Sequence, residues 1–255
     1  ASKQFRLAGN IEGLEKVTVR MLLNHTSGIN DPKNDQEVYY NDVKNKPVDM
    51  DALSPQRRLE KYVYGKPLWF TPGTDTRYSN SGYWLLGMII EKVTGKEVQE
   101  AMAERIFRKL GLTNTYLEER ENPELSAGYY KVSDGLMNVG IYDKADGDGD
   151  PGSGVVSTAS DLIAFSEALF SGQLLSARSL QQMLRPGKLK DGKDSEYALG
   201  IELWDVDGVK GFGKNGSSIG VDANLIYFPA KKVTIVSFAN RGGGTKKEFL
   251  GKILK

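Results

Sequence analysis

The spacing of the apolar residues changes once along the chain, and this change most constrains the fold. In residues 83–93 the apolar side chains recur at helical spacing, which predicts a helix that buries Tyr83, Leu86, Ile90 and Val93 and ends at Gly95. From Tyr197 onward the pattern is typical of strands, over residues 197–204, 221–228 and 233–238. Residues 229–232 then join the last two strands as an antiparallel hairpin. Helices in the middle and adjacent strands at the end predict an α+β fold, an antiparallel sheet flanked by helices with a mainly helical lobe.

Local signals set the expected boundaries of these elements. Helices are predicted to begin at Thr18, at Ser54-Pro55 and at the capping sequence 158–161, because these residues favour helix starts. Further helices are expected at 97–110 and 246–254. Residues 30–51 are polar and contain two prolines, so they are interpreted as a long surface excursion, and residues 121–156 as loop-rich. The predicted domains are a sheet lobe of residues 1–29 and 152–255 and a helical lobe of residues 30–151.

Composition indicates a globular protein and excludes several function classes. The 255 residues are 39% hydrophobic, and 34 basic against 33 acidic residues give a formal net charge of +1. Lys and Arg do not cluster, so no nucleic-acid partner is predicted. The chain has no cysteine, which excludes disulfides, thiolate metal sites and cysteine catalysis. No apolar stretch approaches the roughly 20 residues of a membrane span, and no cofactor is predicted.

Two short motifs place reactive groups at the expected ends of elements. Tyr78-Ser79-Asn80 puts a phenol and a carboxamide at the mouth of the predicted helix, and Lys214-Asn215-Gly216 offers an ammonium beside bare backbone. Tyr-x-Asn followed by Lys-x-Gly is the order found in serine acyl-transfer enzymes that use no catalytic histidine. Together with residues 17–29, 152–169 and 212–240, these motifs resemble the family of class C β-lactamases, D-alanyl-D-alanine carboxypeptidases and β-lactamase-like esterases.

The resemblance implies a nucleophilic serine in a Ser-x-x-Lys motif, with both side chains on one face of a helix. No Ser-x-x-Lys occurs in the 255 residues, but residues 1–5 are similar to the end of that motif, with Lys3 as its lysine. The serine would then immediately precede Ala1. The start at Ala1 looks internal, and Phe5 reaches Val17 too quickly for the rest of such a helix. The sequence is therefore expected to be a fragment or a set of joined segments.

By the same resemblance, Tyr78 lies between the ammonium groups of Lys3 and Lys214, which would lower the pKa of its phenol below about 10. Tyr78 would then take the serine proton and return it to the leaving group. Asn80 would bind the substrate amide or Lys3. Substrate binding is also expected at Asn215, Gly216 and Ser217, with the Ser217 backbone N–H as one oxyanion donor.

The predicted function is a serine hydrolase that forms an acyl-enzyme with an amide, peptide or ester, such as a D-alanyl peptide or a β-lactam. Ester or peptide hydrolysis is favoured over β-lactam resistance. The substrate is a small molecule or peptide, the oligomeric state is not predicted, and the resemblance favours a periplasmic or extracellular location. The alternative is a non-catalytic relative that binds a peptide or cell-wall fragment, since Ser-x-x-Lys is missing.

Two further patterns suggest other sites. Residues 216–220 fit the Gly-x-Ser-x-Gly nucleophile elbow, which with His25, the only histidine, would make a triad esterase through Ser218. The elbow needs a helix after it, whereas residues 221–227 are predicted as a strand, and a structural hydrogen bond is favoured for His25. Residues 146–150 are similar to a calcium loop, but Pro151 and Ser157 stand at its sixth and twelfth positions, so an acidic turn without metal is favoured.

Overall fold

The structure, a computed structural model, describes residues 10–117, 125–146, 149–243 and 247–254. After a 3₁₀ turn at Leu14–Lys16, its helices, α1 to α12 in chain order, are Val19–Leu23, Pro32–Asp35, Glu37–Asn45, Pro47–Asp51, Pro55–Tyr62, Asn80–Thr94, Val98–Met102, Arg108–Leu110, Gly140–Ala145, Ala159–Phe170, Ala177–Leu184 and Lys247–Leu254. A π-helical segment, Ala103–Phe107, joins α7 to α8. The strands, β1 to β8, are Tyr116–Leu117, Tyr129–Val132, Gly135–Asn138, Val155–Val156, Glu202–Val206, Val209–Ser217, Asp222–Phe228 and Val233–Ala239.

The last four strands form one antiparallel sheet in the order β5-β6-β7-β8, and β1-β4 and β2-β3 form two small pairs. Successive residues of β7 alternate between buried and half-buried positions, so both faces of this sheet are covered. On one face Phe170 of α10 stacks on Tyr227, with ring centroids 4.4 Å apart. On the other face Leu250 of α12 joins an apolar cluster with Ile226 and Phe228. The α+β prediction is confirmed.

Predicted helix starts at three positions are confirmed by side-chain caps. The hydroxyls of Thr18, Ser54 and Thr158 accept hydrogen bonds from backbone N–H groups in the first turns of α1, α5 and α10. Gly95 ends α6 in the left-handed conformation at φ +68°, which favours glycine. The predicted 229–232 hairpin between β7 and β8 is also confirmed.

The interpretation of residues 30–51 as a surface excursion is wrong. This segment forms α2, α3 and α4, and its buried side chains include Asp31, Tyr39, Val43 and Met50. The two prolines that suggested a loop begin α2 and α4. Proline is favoured at the first position of a helix, because its missing N–H would have no intrahelical partner there.

The buried face of α6 also differs from the prediction. Trp84, Leu85 and Leu86 are buried in an apolar cluster with residues of α1, α3 and α5, whereas Ile90 is 36% and Val93 64% exposed. The first three turns of α6 are therefore the ones that lie in the core. This places the preceding Tyr78-Ser79-Asn80 segment against the interior of the protein.

Candidate active site

The Tyr78-Ser79-Asn80 segment forms the turn that begins α6. Ser79 caps the helix, since its hydroxyl accepts a hydrogen bond from the Gly82 backbone N–H at 3.3 Å. Asn80 is the first residue of the helix and is buried, and Tyr78 is half-buried before it. Helix α6 therefore fixes the backbone of the segment that carries the Tyr78 phenol and the Asn80 carboxamide.

His25 fixes this turn from the opposite side. Its Nδ1 accepts a hydrogen bond from the Ser79 backbone N–H at 3.1 Å, and its carbonyl oxygen accepts one from the Arg77 backbone N–H at 3.0 Å. The imidazole also packs against the Tyr78 ring, with centroids 4.2 Å apart. Because Nδ1 is the acceptor, the neutral ring carries its proton on Nε2.

Burial, followed by the nearby Lys214 ammonium, lowers the pKa of His25 to about 3. The unfolded chain, with a histidine pKa of about 6.5, therefore binds a proton between pH 6.5 and 3 that the native state does not bind. This contribution to stability is complete above pH 6.5 and is lost as the pH falls. Between pH 7 and pH 5 we expect His25 to account for a loss of about 2 kcal/mol in the free energy of unfolding.

The matched variant for this prediction is His25→Asn. Asparagine tolerates the left-handed backbone of position 25, at φ +58°, and offers an acceptor oxygen but does not titrate. Urea denaturation at pH 7 and pH 5 should show a smaller loss in the variant than in the wild type. Equal losses in the two proteins would contradict the assignment.

Asn80 is bonded to a buried carboxylate that the sequence analysis missed. Its Nδ2 donates to Asp31 Oδ2 at 2.8 Å, and Asp31 is fully buried. The two residues are 49 positions apart, and Asp31 lies in the segment interpreted as a surface excursion. The sequence clue was the acidic residue before Pro32, which is the pattern of a helix cap.

The Lys214-Asn215-Gly216 motif lies inside β6, the strand that the resemblance implies there but that the spacing of apolar residues does not indicate. Lys214 Nζ lies 5.0 Å from the centroid of the Tyr78 ring, so the structure brings these two predicted residues together. The same ammonium forms an ion pair with Glu202 at 2.7 Å and donates to the Asn215 carbonyl oxygen at 2.8 Å. Glu202, at the start of β5, is a second residue of the site that the sequence analysis missed.

Glu202 also binds Asn215. The Asn215 backbone N–H donates to Glu202 Oε2 at 3.3 Å, and the side-chain Nδ2, when turned toward the carboxylate, lies 2.9 and 3.0 Å from its oxygens. The carboxamide predicted to bind substrate is therefore turned toward Glu202. Gly216 has open space around its Cα on the side where a Cβ would stand, in agreement with the expected bare backbone.

The expected lowering of the Tyr78 pKa does not occur. Burial, followed by Tyr83 and the carboxylates of Asp31 and Glu202, raises the pKa of the phenol well above its usual value. The main physical reason is burial, which disfavours the charged phenolate. In addition, Glu202 pairs with the Lys214 ammonium that lies over the ring face. Lys3, the other expected cation, lies outside the described residues.

The free edge of β6 supports the predicted oxyanion donor. β5 pairs with β6 only from Val209 to Gly213, so the segment from Lys214 to Ser217 extends past its end. The Asn215 N–H points toward β5, where it meets Glu202. Because backbone N–H groups alternate along a strand, the Ser217 N–H points toward the same side, beyond the end of β5.

The nucleophile-elbow alternative fails on geometry. Ser218 is followed by β7 rather than by a helix, as predicted, and its Oγ donates to Asp143 Oδ1 at 2.8 Å. Asp143 also accepts the Gly220 backbone N–H at 3.0 Å, so this serine is part of a turn. The Nδ1 of His25 is occupied by Ser79, which agrees with the structural hydrogen bond favoured for this histidine.

The acidic turn has structural partners. Asp146 forms an ion pair with Lys33 at 3.2 Å, and Asp150 accepts the Trp84 indole N–H at 2.7 Å. Of its remaining residues, 147 and 148 are outside the described ranges. The part of the chain that the structure covers contains no group of three or more His, Cys, Asp or Glu residues able to hold a metal ion. Within the same ranges no helix is both long and apolar enough to cross a membrane.

Comparison with known proteins identifies the family. The Beta-lactamase family model matches residues 8–254. Penicillin-binding protein 4* of Bacillus subtilis (strain 168) is 28% identical over 254 residues, which cover 91% of this chain and 53% of that protein. The chain therefore spans about half the length of this curated relative.

Solved structures agree with this match. A D-stereospecific amidohydrolase from Streptomyces sp. aligns with a TM-score of 0.82 and 25% identity over 97% of this chain and 76% of that one. A penicillin binding protein from Bacillus halodurans aligns with a TM-score of 0.80 and 25% identity over 98% and 76% of the two chains. The chain belongs to the β-lactamase family, a family of serine hydrolases.

Proposed function

We propose that this protein hydrolyses an amide, peptide or ester through an acyl-enzyme formed on a serine that immediately precedes Ala1. The observation that carries the proposal is the convergence of Tyr78 and Lys214 from segments 136 residues apart, with 5.0 Å between the ammonium and the phenol ring centroid. Buried Asn80 lies two residues from the phenol and the free edge of β6 follows the lysine. The relatives, penicillin-binding proteins and a D-stereospecific amidohydrolase, support a D-configured peptide or amide as the substrate.

Each residue has a proposed role in the reaction. The serine Oγ bonds to the substrate carbonyl carbon while its proton passes to Tyr78, and the phenol returns a proton to the leaving amine or alcohol. The Ser217 N–H, together with the serine's own N–H, stabilises the oxyanion. Because Glu202 compensates the charge of Lys214, the ammonium of Lys3 is the cation that must stabilise the Tyr78 phenolate. Asn80 binds the substrate amide or Lys3. Water then cleaves the acyl-enzyme.

A second candidate function is binding of a peptide or cell-wall fragment without turnover. The raised pKa of Tyr78 favours it, because a phenol that keeps its proton is a poor base. The two candidates differ in whether a covalent intermediate forms. As for location, the family favours the periplasm or the outside of the cell.

Intact-protein mass spectrometry of the natural full-length product distinguishes them. After exposure to a fluorescent penicillin we expect the mass to increase by that of the whole penicillin, since the ring C–N bond opens without loss of a fragment. Peptide mapping should place the adduct on a serine three positions before Lys3, and an activated ester should be turned over. A product without that serine, adduct or turnover would overturn the hydrolase proposal in favour of binding.

A further inference from the structure

The buried carboxylate of Asp31 accepts hydrogen bonds from Asn80 and from two residues of its own segment. Oδ2 accepts hydrogen bonds from Asn80 Nδ2 at 2.8 Å and from Asn34 Nδ2 at 2.7 Å, while Oδ1 accepts the Lys33 backbone N–H at 3.2 Å. Asp31 thus binds the side chain of Asn80 at the positive N-terminal end of α6.

This contact decides which way the carboxamide points. The two ends of an asparagine amide are nearly identical in shape but opposite in hydrogen-bonding character. An ionised carboxylate only accepts hydrogen bonds, so Nδ2 must face Asp31 and Oδ1 must face away from it. In the structure Oδ1 lies on the Gly152 side, 3.7 Å from the position where a Cβ of residue 152 would stand.

We propose that Asp31 is a positioning residue that fixes the Asn80 carboxamide with its oxygen available as an acceptor for an N–H or ammonium group in the active site. Asn80 Nδ2 donates to Asp31, which leaves Oδ1 to accept a hydrogen bond in the active site. The group that donates to Oδ1 is a substrate amide N–H or the Lys3 ammonium. The inference rests on the proposed function of this site. It adds a residue 49 positions upstream of Asn80 that acts through Asn80 and does not itself meet the substrate.

Asp31→Asn is the informative variant, because it keeps the shape of the side chain but offers only one acceptor oxygen. In one orientation its amide hydrogens would face those of Asn80 and Asn34, and in the other they would face the Lys33 N–H. In both orientations the charged acceptor is lost, so the Asn80 carboxamide is held less firmly. On the natural full-length protein we expect kcat/KM for an activated ester that carries an amide N–H to fall about 10- to 100-fold, the cost of misplacing a binding group. Stability will also fall, so the kinetic effect needs its own test.

A double-mutant cycle supplies that test. If Asp31 acts through Asn80, Asp31→Asn should have almost no further effect on kcat/KM in a protein that already carries Asn80→Ala. Tyr62→Phe is the control for stability alone: it removes the hydroxyl of a buried tyrosine that donates to Asp42 Oδ2 at 2.7 Å, and kcat/KM should stay unchanged as Tm falls. Fully additive effects of the Asp31 and Asn80 substitutions would overturn the positioning role.

Nuclear magnetic resonance gives a readout that needs no turnover. The Asn80 side-chain amide signal, assigned by its loss in Asn80→Ala, should exchange slowly with solvent in the wild type and faster in Asp31→Asn. An unchanged exchange rate would overturn the proposal. A wild-type protein that forms no acyl-enzyme but shows this change would overturn the proposed hydrolase function and leave the Asp31–Asn80 contact established.

Discussion

Replacing Tyr78 with phenylalanine is expected to lower the rate of acylation by about 10²- to 10⁴-fold, the usual contribution of a positioned general acid or base. The ring should keep its place, because its packing against His25 involves the aromatic faces and not the hydroxyl. No hydrogen bond of the Tyr78 hydroxyl is found among the residues that the structure describes. Stopped-flow acylation with a fluorescent penicillin would measure the rate, and thermal unfolding would check the fold.

Tyr83→Phe is the matched control for this experiment. Tyr83 also packs near the His25 ring, at 5.2 Å between centroids, but its hydroxyl donates to the Leu23 carbonyl oxygen at 2.9 Å. Burial raises its pKa to about 12. We expect this variant to lose about 1 kcal/mol of stability and to keep its acylation rate. A Tyr78→Phe protein that acylates within threefold of the wild type would show that the phenol transfers no proton.

Local signals in the sequence predicted much of this fold. Caps such as Thr18 and Ser54 and the glycine after α6 mark boundaries through hydrogen bonds or backbone conformations that involve only neighbouring residues. The apolar pattern does not indicate β6, which only the resemblance implied, because this strand contains Gly211, Gly213 and Gly216, and glycine is depleted in strands. Gly213 is needed there, because a Cβ would stand 2.1 Å from the Leu225 carbonyl oxygen.

The candidate site was predicted in part, and what was missed depends on contacts between distant residues. Tyr78, Asn80 and Lys214 belong to short motifs, so the sequence alone could indicate them. Asp31 and Glu202 belong to no such motif, and a single acidic residue usually faces solvent. Their roles depend on contacts with Asn80 and Lys214, which lie far away in the sequence. The expected lowering of the Tyr78 pKa took account of two lysines but not of these two carboxylates, which both raise it.

The largest effect on stability is expected from Arg58→Ala, about 3–5 kcal/mol. Arg58 is 1% exposed, and its guanidinium donates to the Tyr39 hydroxyl at 2.6 Å and to three backbone carbonyls, of Met50 at 2.8 Å, Ala145 at 3.2 Å and Leu53 at 3.3 Å. Truncation would remove the guanidinium donor from these buried acceptors and create a cavity between α4, α5 and α9.

The neighbouring Arg57 provides the control for this prediction. Its side chain is 71% exposed and pairs with Glu60 at 2.7 Å, so Arg57→Ala should change the free energy of unfolding by about 0.5 kcal/mol or less. Urea denaturation of both variants measures the difference, and a gap below 1 kcal/mol would contradict the role of Arg58. Arg58 also holds the Ala145 carbonyl, and the chain continues from Ala145 to Gly152, which lies next to Asn80. The loss of Arg58 should therefore also disturb the position of Gly152 beside Asn80. Stability and acylation should therefore fall together in Arg58→Ala, whereas Tyr78→Phe should lose only acylation.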